Sequence, residues 1–195
     1  MELLVNKIKS YVPLSFEDEI VMRGLFHKKA LKKGEHLLEA GNVCRYVIFI
    51  ETGLVRYYMN KEGVEQTNYF NKENEFVCDY MSFLTQIPSY VNIQALEDTK
   101  LVTFTRKDLD QMLANPMLAY KIERFGRLVA EHYLCCYEDR MASFITQTPE
   151  ERYMHLLNTG REILQRMPQH YIANFLGITP VSLSRIRRRV LVGTK

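Results

Sequence analysis

One stretch constrains this chain more than any other. From Met117 to Ile145, 29 residues pass with no proline and a single glycine, Gly126. Read as one helix, the stretch extends about 44 Å, more than a small domain can cover. Within it Leu118, Ile122, Phe125, Val129, His132 and Cys136 recur at a 4-3-4-3-4 spacing, a heptad-like seam. The seam is expected to close against its own copy in a homodimer. Packing on the chain's own preceding domain is the alternative.

The region ahead of this helix has a different texture. Between Ala30 and about Thr105, short β-branched and aromatic runs alternate with turn signals. The runs are His36–Leu38, Tyr46–Glu51, Leu54–Met59, Glu65–Phe70 and Leu101–Phe104; the turns are Lys33-Gly34, Ala40-Gly41-Asn42, Thr52-Gly53 and Glu62-Gly63. This spacing predicts an all-β sandwich or barrel, with a short helix at Tyr80–Leu84 inside it. Before it, Pro13 breaks a helical pattern. Ser15, followed by Phe16-Glu17-Asp18-Glu19, starts a second helix expected to reach His27. A further helix runs from Arg106 to Asn115-Pro116.

After the long helix, Thr148-Pro149-Glu150-Glu151 opens another, which Gly160 closes. The most specific segment follows, Gln169 to Arg189: QHYIANFLGITPVSLSRIRRR. Two short helices crossing steeply through a tight turn need a small residue at the crossing, a residue that tolerates left-handed backbone, apolar fill and a fresh N-cap. Ala173, Gly177, the set Ile172, Leu176, Ile178, Leu183 and Ile186, and Thr179-Pro180 meet these demands in turn. The pattern predicts a helix-turn-helix. With Leu183 and Ile186 inward, Val181, Ser182, Arg185, Arg188 and Arg189 face out. A recognition helix lays its N-terminal part in the major groove. Arg185 is therefore expected to read guanine, Val181 to touch a thymine methyl, and Thr179 and Ser182 to reach phosphate or base. Arg187, Arg188 and Arg189 are expected at phosphates or in solvent. Gln169 and His170 begin the first helix, whose amide end can meet a phosphate.

Charge agrees with a polyanion partner. Residues 161–195 carry a net +6 and residues 1–160 a net −3. The competing reading is a ligand- or protein-binding module whose helix-turn-helix mediates protein contacts, which needs no such excess. No apolar run is long enough to span a membrane, and MELLVNKIKSYVPLSF does not read as a signal peptide, so the cytoplasm is the expected compartment. Cys44, Cys78, Cys135 and Cys136 form no C-x-x-C and are expected to be plain thiols. The five histidines, His27, His36, His132, His155 and His170, have no metal-ligand or haem spacing, so no metal and no cofactor is expected. Barrel metal enzymes need clustered histidines and carboxylates, and an enzyme is not expected.

The order of β-domain, long helix and helix-turn-helix, together with KKGEHLLEAGNVCRYVIFIETGLVRYY, resembles the bacterial Crp/Fnr family. Gly34-Glu35, Gly41 and Ile50–Gly53-x-Val55-Arg56 match its cyclic-nucleotide-binding fold. The resemblance covers nearly the full length and implies an α+β chain. A jelly-roll (double-stranded β-helix) sensor domain would occupy residues 1–115, a dimerisation helix 116–146 and a helix-turn-helix domain 147–195. It implies a sequence-specific transcriptional regulator. This would act as a homodimer on palindromic double-stranded DNA, with recognition helices about 34 Å apart. RNA polymerase and a small-molecule effector would be further partners.

The departures are as informative. Cyclic-nucleotide binders of this fold carry a Gly-Glu pair and, about ten residues on, an Arg followed by Ser or Thr. Aligned through Asn74-Glu75-Phe76-Val77, those positions are Cys78-Asp79 and Ser89-Tyr90 here. The phosphate cradle loses its guanidinium, so cyclic AMP is not expected as the ligand. An effector pocket is expected around Cys78, Asp79, Tyr80, Ser89, Tyr90 and Val91, which leaves open an apolar effector or a collapsed pocket. The N-terminal cysteine cluster of the oxygen-sensing branch is missing before Cys44. The β-hairpin wing usual in the family is expected to be reduced or absent, because only about eight residues separate Gly160 from Gln169.

Overall fold

A computed structural model describes residues 1–193. The chain opens with α1 (Glu2–Lys9) and α2 (Phe16–Gly24). Ser15 starts α2 through a closed capping box: its Oγ accepts from the Asp18 N–H at 3.2 Å, and the Asp18 carboxylate accepts from the Ser15 N–H at 2.7 Å. The helix stops at Gly24 rather than running to His27, because His27 opens the first strand, β1 (His27–Leu31). The β-domain continues through β2 (His36–Leu38), β3 (Tyr46–Thr52), β4 (Val55–Lys61), β5 (Val64–Asn71) and β6 (Phe76–Val77). After a short helix, α3 (Tyr80–Thr85), come β7 (Asn92–Ala95) and β8 (Thr99–Thr105). The helices α4 (Arg106–Ala114), α5 (Ala119–Thr146), α6 (Pro149–Thr159), α7 (Arg161–Arg166), α8 (Gln169–Phe175) and α9 (Pro180–Gly193) follow.

The strands form two four-stranded sheets, ordered β1-β8-β3-β6 and β2-β7-β4-β5, in a jelly-roll sandwich. Register in the first sheet pairs Phe49 with both Val102 and Phe76, and Ile48 with Thr103 and Val77. The central strand β3 is thus buried along Ile48–Ile50, while the edge strand β1 exposes all but Leu31. Its two lysines, Lys28 and Lys29, suit an edge that must not pair with another chain. The expected turn at Thr52-Gly53 forms with Gly53 at φ +114°, and a Cβ there would lie 2.8 Å from the Thr99 backbone. Only glycine fits that approach.

The chain groups into two units, one of residues 1–57 with 70–134, the other of residues 58–69 with 135 onward. In the first, α1, α2, α4 and the first half of α5 share one core with β3, β6 and β8; Leu4, Met22, Phe49, Val102, Phe104 and Met112 are at its centre. Leu118, Ile122 and Phe125 are buried in this same core, with Val129 packed against it. Phe125 meets Tyr11 edge-on at 5.7 Å and Phe76 at 5.5 Å. Four of the six residues of the seam expected at a dimer interface are therefore committed within the chain. His132 is exposed and Cys136 half-buried. The reason is that a helix packed on its own domain and a helix packed on its copy show the same apolar period, so spacing alone names no partner.

Two polar contacts fix α5 in this unit. The Tyr133 hydroxyl accepts from the Phe76 N–H at 3.0 Å and donates to the Phe76 carbonyl at 2.8 Å. Lys121 pairs with Asp18, whose side chain is 2% exposed. Burial pushes the Asp18 carboxyl up, but the Lys121 hydrogen bond and the Ser15 N–H outweigh it and hold the group below its ordinary value. A depressed carboxylate contributes stability above the ordinary aspartate value of 3.8 and loses it as pH falls through the lower folded value. Asp18→Asn is expected to cost about 1–3 kcal/mol at neutral pH. The gap from wild type should narrow below pH 3.8. Urea midpoints measured across that range check it, and a gap that stays constant into acid would refute the assignment.

Candidate nucleic-acid interface

The segment read as a helix-turn-helix folds as α8, a tight turn and α9. Ile172, Ala173, Leu176, Leu183 and Ile186 are all buried and fill the angle between the two helices. At the turn the Gly177 N–H donates to the Asn174 carbonyl and the Ile178 N–H to the Ala173 carbonyl, each at 2.9 Å. Gly177 sits at φ +71°, and a Cβ there would come within 2.7 Å of the Phe144 ring. The glycine is therefore required twice, by backbone conformation and by space. Thr179 starts α9 as expected: its Oγ1 accepts from the Ser182 N–H at 3.1 Å, and Pro180 takes the first helical position.

Most of the predicted contact residues are open to solvent. Gln169, His170, Thr179, Val181, Arg185 and Arg188 are exposed, and Ser182 is half-buried. Among the described residues neither Arg185 nor Arg188 has an ion-pair partner. Arg189, expected at a phosphate or in solvent, is exposed but ion-paired. Its Nε and Nη2 donate to Glu150 Oε2 at 3.0 and 2.5 Å, which pins α9 to the start of α6. Thr148 caps α6 through a capping box with Glu151, so the anchor is itself rigid.

Sequence reasoning missed the residues that hold this motif to the end of α5. The Arg140 guanidinium lies 3.8 Å from the Phe175 ring centre and 4.9 Å from that of Phe144, and donates to the Phe175 carbonyl at 2.9 Å. Burial pushes Arg140 down to about 10, still charged at neutral pH. The Arg152 guanidinium lies 4.5 Å from the same Phe144 ring centre and donates to the Leu176 carbonyl at 3.0 Å and the Gln147 carbonyl at 2.6 Å. Two cations thus satisfy carbonyls at the C-terminal end of α8, where the helix dipole is negative. Asn174 adds a bond from its side-chain amide to the Glu65 carbonyl of β5 at 3.0 Å. An arginine flanked by aromatics in the sequence was the available signal, but the contacts join residues 35 positions apart. Among the described residues no β-hairpin wing precedes α8: the segment between α6 and α8 is the helix α7.

Of the six residues expected at an effector pocket, two are engaged in local hydrogen bonds. Asp79 caps α3, its Oδ1 accepting from the Ser82 N–H at 3.2 Å. Ser89 is buried and turned on its own loop, donating to the Val91 carbonyl at 3.0 Å and accepting from the Val91 N–H at 2.9 Å. Tyr80 and Tyr90 are more than half exposed, and Val91 is half-buried. An open cleft of about 780 Å³ nearby is lined instead by residues of 29–48 and Ile93, Cys44 among them, and by none of the six. Asp79 and Ser89 thus spend polar atoms on nearby backbone groups. Among the described residues no helix is long and apolar enough to cross a membrane.

Comparison with known proteins agrees with this architecture. Residues 28–115 match the family model of the cyclic nucleotide-binding domain. The fumarate and nitrate reduction regulatory protein of Yersinia pestis is 29% identical over 183 residues, covering 88% of this chain and 70% of that protein. The anaerobic regulatory protein of Haemophilus influenzae is 26% identical over 182 residues, covering 88% and 68%. Among solved structures, FixK2 from Bradyrhizobium japonicum shares the fold with a TM-score of 0.67 at 20% identity, covering 87% of this chain and 86% of that one. The c-di-GMP responsive global regulator CLP of Xanthomonas campestris does so with a TM-score of 0.69 at 13% identity, covering 92% and 93%. The curated relatives are regulators, not enzymes. Residues 28–115 thus fall in the cyclic nucleotide-binding domain family, and the order of β-domain, long helix and helix-turn-helix is similar to that of the Crp/Fnr transcriptional regulators.

Proposed function

We propose that this protein regulates transcription as a homodimer that reads a palindromic DNA site with α9. The observation that carries the reading is the solvent face of that helix. Val181, Arg185 and Arg188 stand exposed on it, while Leu183 and Ile186 anchor the opposite side. A helix held on one face by apolar packing and offering an unpaired arginine on the other suits major-groove docking. Arg185 reads a guanine bidentately; Arg188, Thr179, Ser182, Gln169 and His170 contact phosphates or base edges; Val181 packs on a thymine methyl. The net +6 of residues 161–195 supplies the salt-dependent part of binding.

The sensor role is assigned to residues 1–115, dimerisation to 116–146 and DNA reading to 147–195. The dimer forms along the side of α5 that faces away from its own core. Tyr120, Leu134, Met141 and Ile145 are each more than half exposed there. Tyr120, Leu134 and Met141 fall on one seven-residue period, which the charged Arg127 interrupts, so the helix carries a second, partly apolar face. Work in the cytoplasm and contact with RNA polymerase belong to the same reading, and cyclic AMP does not, because Cys78-Asp79 and Ser89-Tyr90 provide no guanidinium for a phosphate.

Selection of bound duplexes from a random pool, at two salt concentrations, tests it. Wild type should enrich a palindrome, and Arg185→Ala should lose about 10- to 100-fold in affinity and relax the preference at one position of each half-site. No enrichment with a salt-insensitive background would favour a helix-turn-helix that contacts protein. Enrichment unaffected by Arg185→Ala would remove that residue from the readout.

A further inference from the structure

We propose that Cys44 and Cys78 form a redox-active dithiol that closes to an intrachain disulfide when a hydroperoxide oxidises it. The two sulfurs are 3.8 Å apart, although the residues are 34 positions apart in sequence. The fold brings them together deliberately. Antiparallel pairing of β3 with β6 sets Ile48 opposite Val77, so Cys78 emerges at the same end of the sheet as the loop that enters β3. The Cys44 N–H is held by Ser82 Oγ at 2.9 Å, and Cys78 donates its N–H to the Tyr57 hydroxyl at 3.2 Å. Both backbones are therefore fixed, and a disulfide bond of about 2.05 Å needs each sulfur to move by less than about 1 Å.

The environment differentiates the two thiols. The hydrogen bond from Cys78 pulls the Cys44 thiol down to about 7, against the effect of its burial. The same contact, with burial added, pushes Cys78 well up. Cys44 is thus the readier of the two to ionise and Cys78 the one that keeps its proton, the division of labour that nucleophilic attack and resolution require. Cys44 also lines the open cleft of about 780 Å³, which gives a small oxidant a path to a side chain otherwise buried. Next to Cys78, the Oδ2 of Asp79 is buried without a hydrogen-bond partner among the described residues. That orphaned oxygen marks the spot as more than inert packing.

The chemistry balances with hydrogen peroxide as oxidant. The Cys44 thiolate attacks one peroxide oxygen, the O–O bond breaks, and Cys44 becomes a sulfenic acid while hydroxide leaves and takes a proton to give water. The Cys78 sulfur then attacks the Cys44 sulfur; the S–S bond forms, the S–O bond breaks, and a second water departs with the Cys78 proton. Two thiols are oxidised by two electrons and one peroxide is reduced to two waters. The link joins the loop before β3 to the residue that precedes the α3 cap, Asp79. Oxidation thereby ties α3 to the sheet through a covalent bond in addition to the Ser82 contact.

Peptide mapping of the whole chain tests this. Reduced protein is treated with equimolar hydrogen peroxide, blocked, digested with trypsin without reduction and read by mass spectrometry. The expected product joins the peptide 34–45 to the peptide 73–100, lighter than their sum by two hydrogen atoms, with two of the four cysteines consumed. Dithiothreitol should reverse it. In Cys78→Ala, a dimedone adduct should accumulate on Cys44 in place of the link. The same mapping on a Cys135→Ser, Cys136→Ser chain should give the link unchanged. Untouched Cys44 and Cys78 in wild type, a Cys44 sulfinic acid with Cys78 still free, or links made only through Cys135 or Cys136 would each overturn the proposal.

Discussion

Arg56→Ala is expected to destabilise the protein by about 3–5 kcal/mol, the sum of an orphaned acceptor and a cavity. Arg56 is the largest of the fully buried side chains, only 1% exposed. Its Nε and Nη2 both donate to Gln94 Oε1, at 3.0 and 2.7 Å, and Gln94 in turn donates to the Gly34 carbonyl at 2.9 Å. This chain of bonds ties β4 to β7 and to the turn before β2. Truncation leaves Gln94 without its donor and removes most of a long side chain from a packed interior. Lysine should recover little, since a single ammonium cannot make the paired contact of the guanidinium fork. Stabilities of domains this size are commonly about 5–15 kcal/mol, so the variant should sit close to unfolding at ambient temperature. Urea denaturation followed by far-UV circular dichroism measures it. A loss under about 1 kcal/mol would mean that Arg56 is only a passenger in the sandwich.

The second large effect concerns assembly. Met141→Glu is expected to convert the proposed dimer to monomer and to lower affinity for a palindromic duplex by about 10²–10³-fold, because each half-site is then bound without its tethered neighbour. Met141 is 62% exposed in the single chain, so the melting temperature of the isolated protein should barely move. Phe125→Glu supplies the contrast. Phe125 is 7% exposed and packs on Tyr11 and Phe76, so a charge there should unfold the first unit rather than dissociate a dimer. Sedimentation equilibrium with thermal melts separates the two outcomes. A Met141→Glu chain that remains dimeric would place the interface off this face of α5.

The strands and helices were legible where local chemistry is strong. His36–Leu38, the turns at Gly34, Gly41, Gly53 and Gly63, the short helix at Tyr80 and the capped start at Thr148 all occur where sequence signals put them. The strands β1, β6 and β7 were not read. β1 has only Leu31 buried, β6 is two residues long, and β7 alternates within four residues, so none carries an apolar pattern long enough to register. They exist because the neighbouring strands β8, β3 and β2 offer unpaired edges.

At the candidate interface the sequence went further. Ala173, Gly177, Thr179 and the buried set around them specify the helix-turn-helix, because each position answers a local demand of backbone angle, cap or wedge. What it did not determine is partnership. Whether Leu118, Ile122 and Phe125 face a copy or their own barrel, whether Arg189 is free or held by Glu150, and whether Cys44 meets Cys78 depend on which distant segments come together. Periodicity, caps and turns are set by neighbours within a few residues. The occupant of an exposed face or the mate of a thiol is set by contacts across tens of residues, and those are decided only once the sheets and helices have packed.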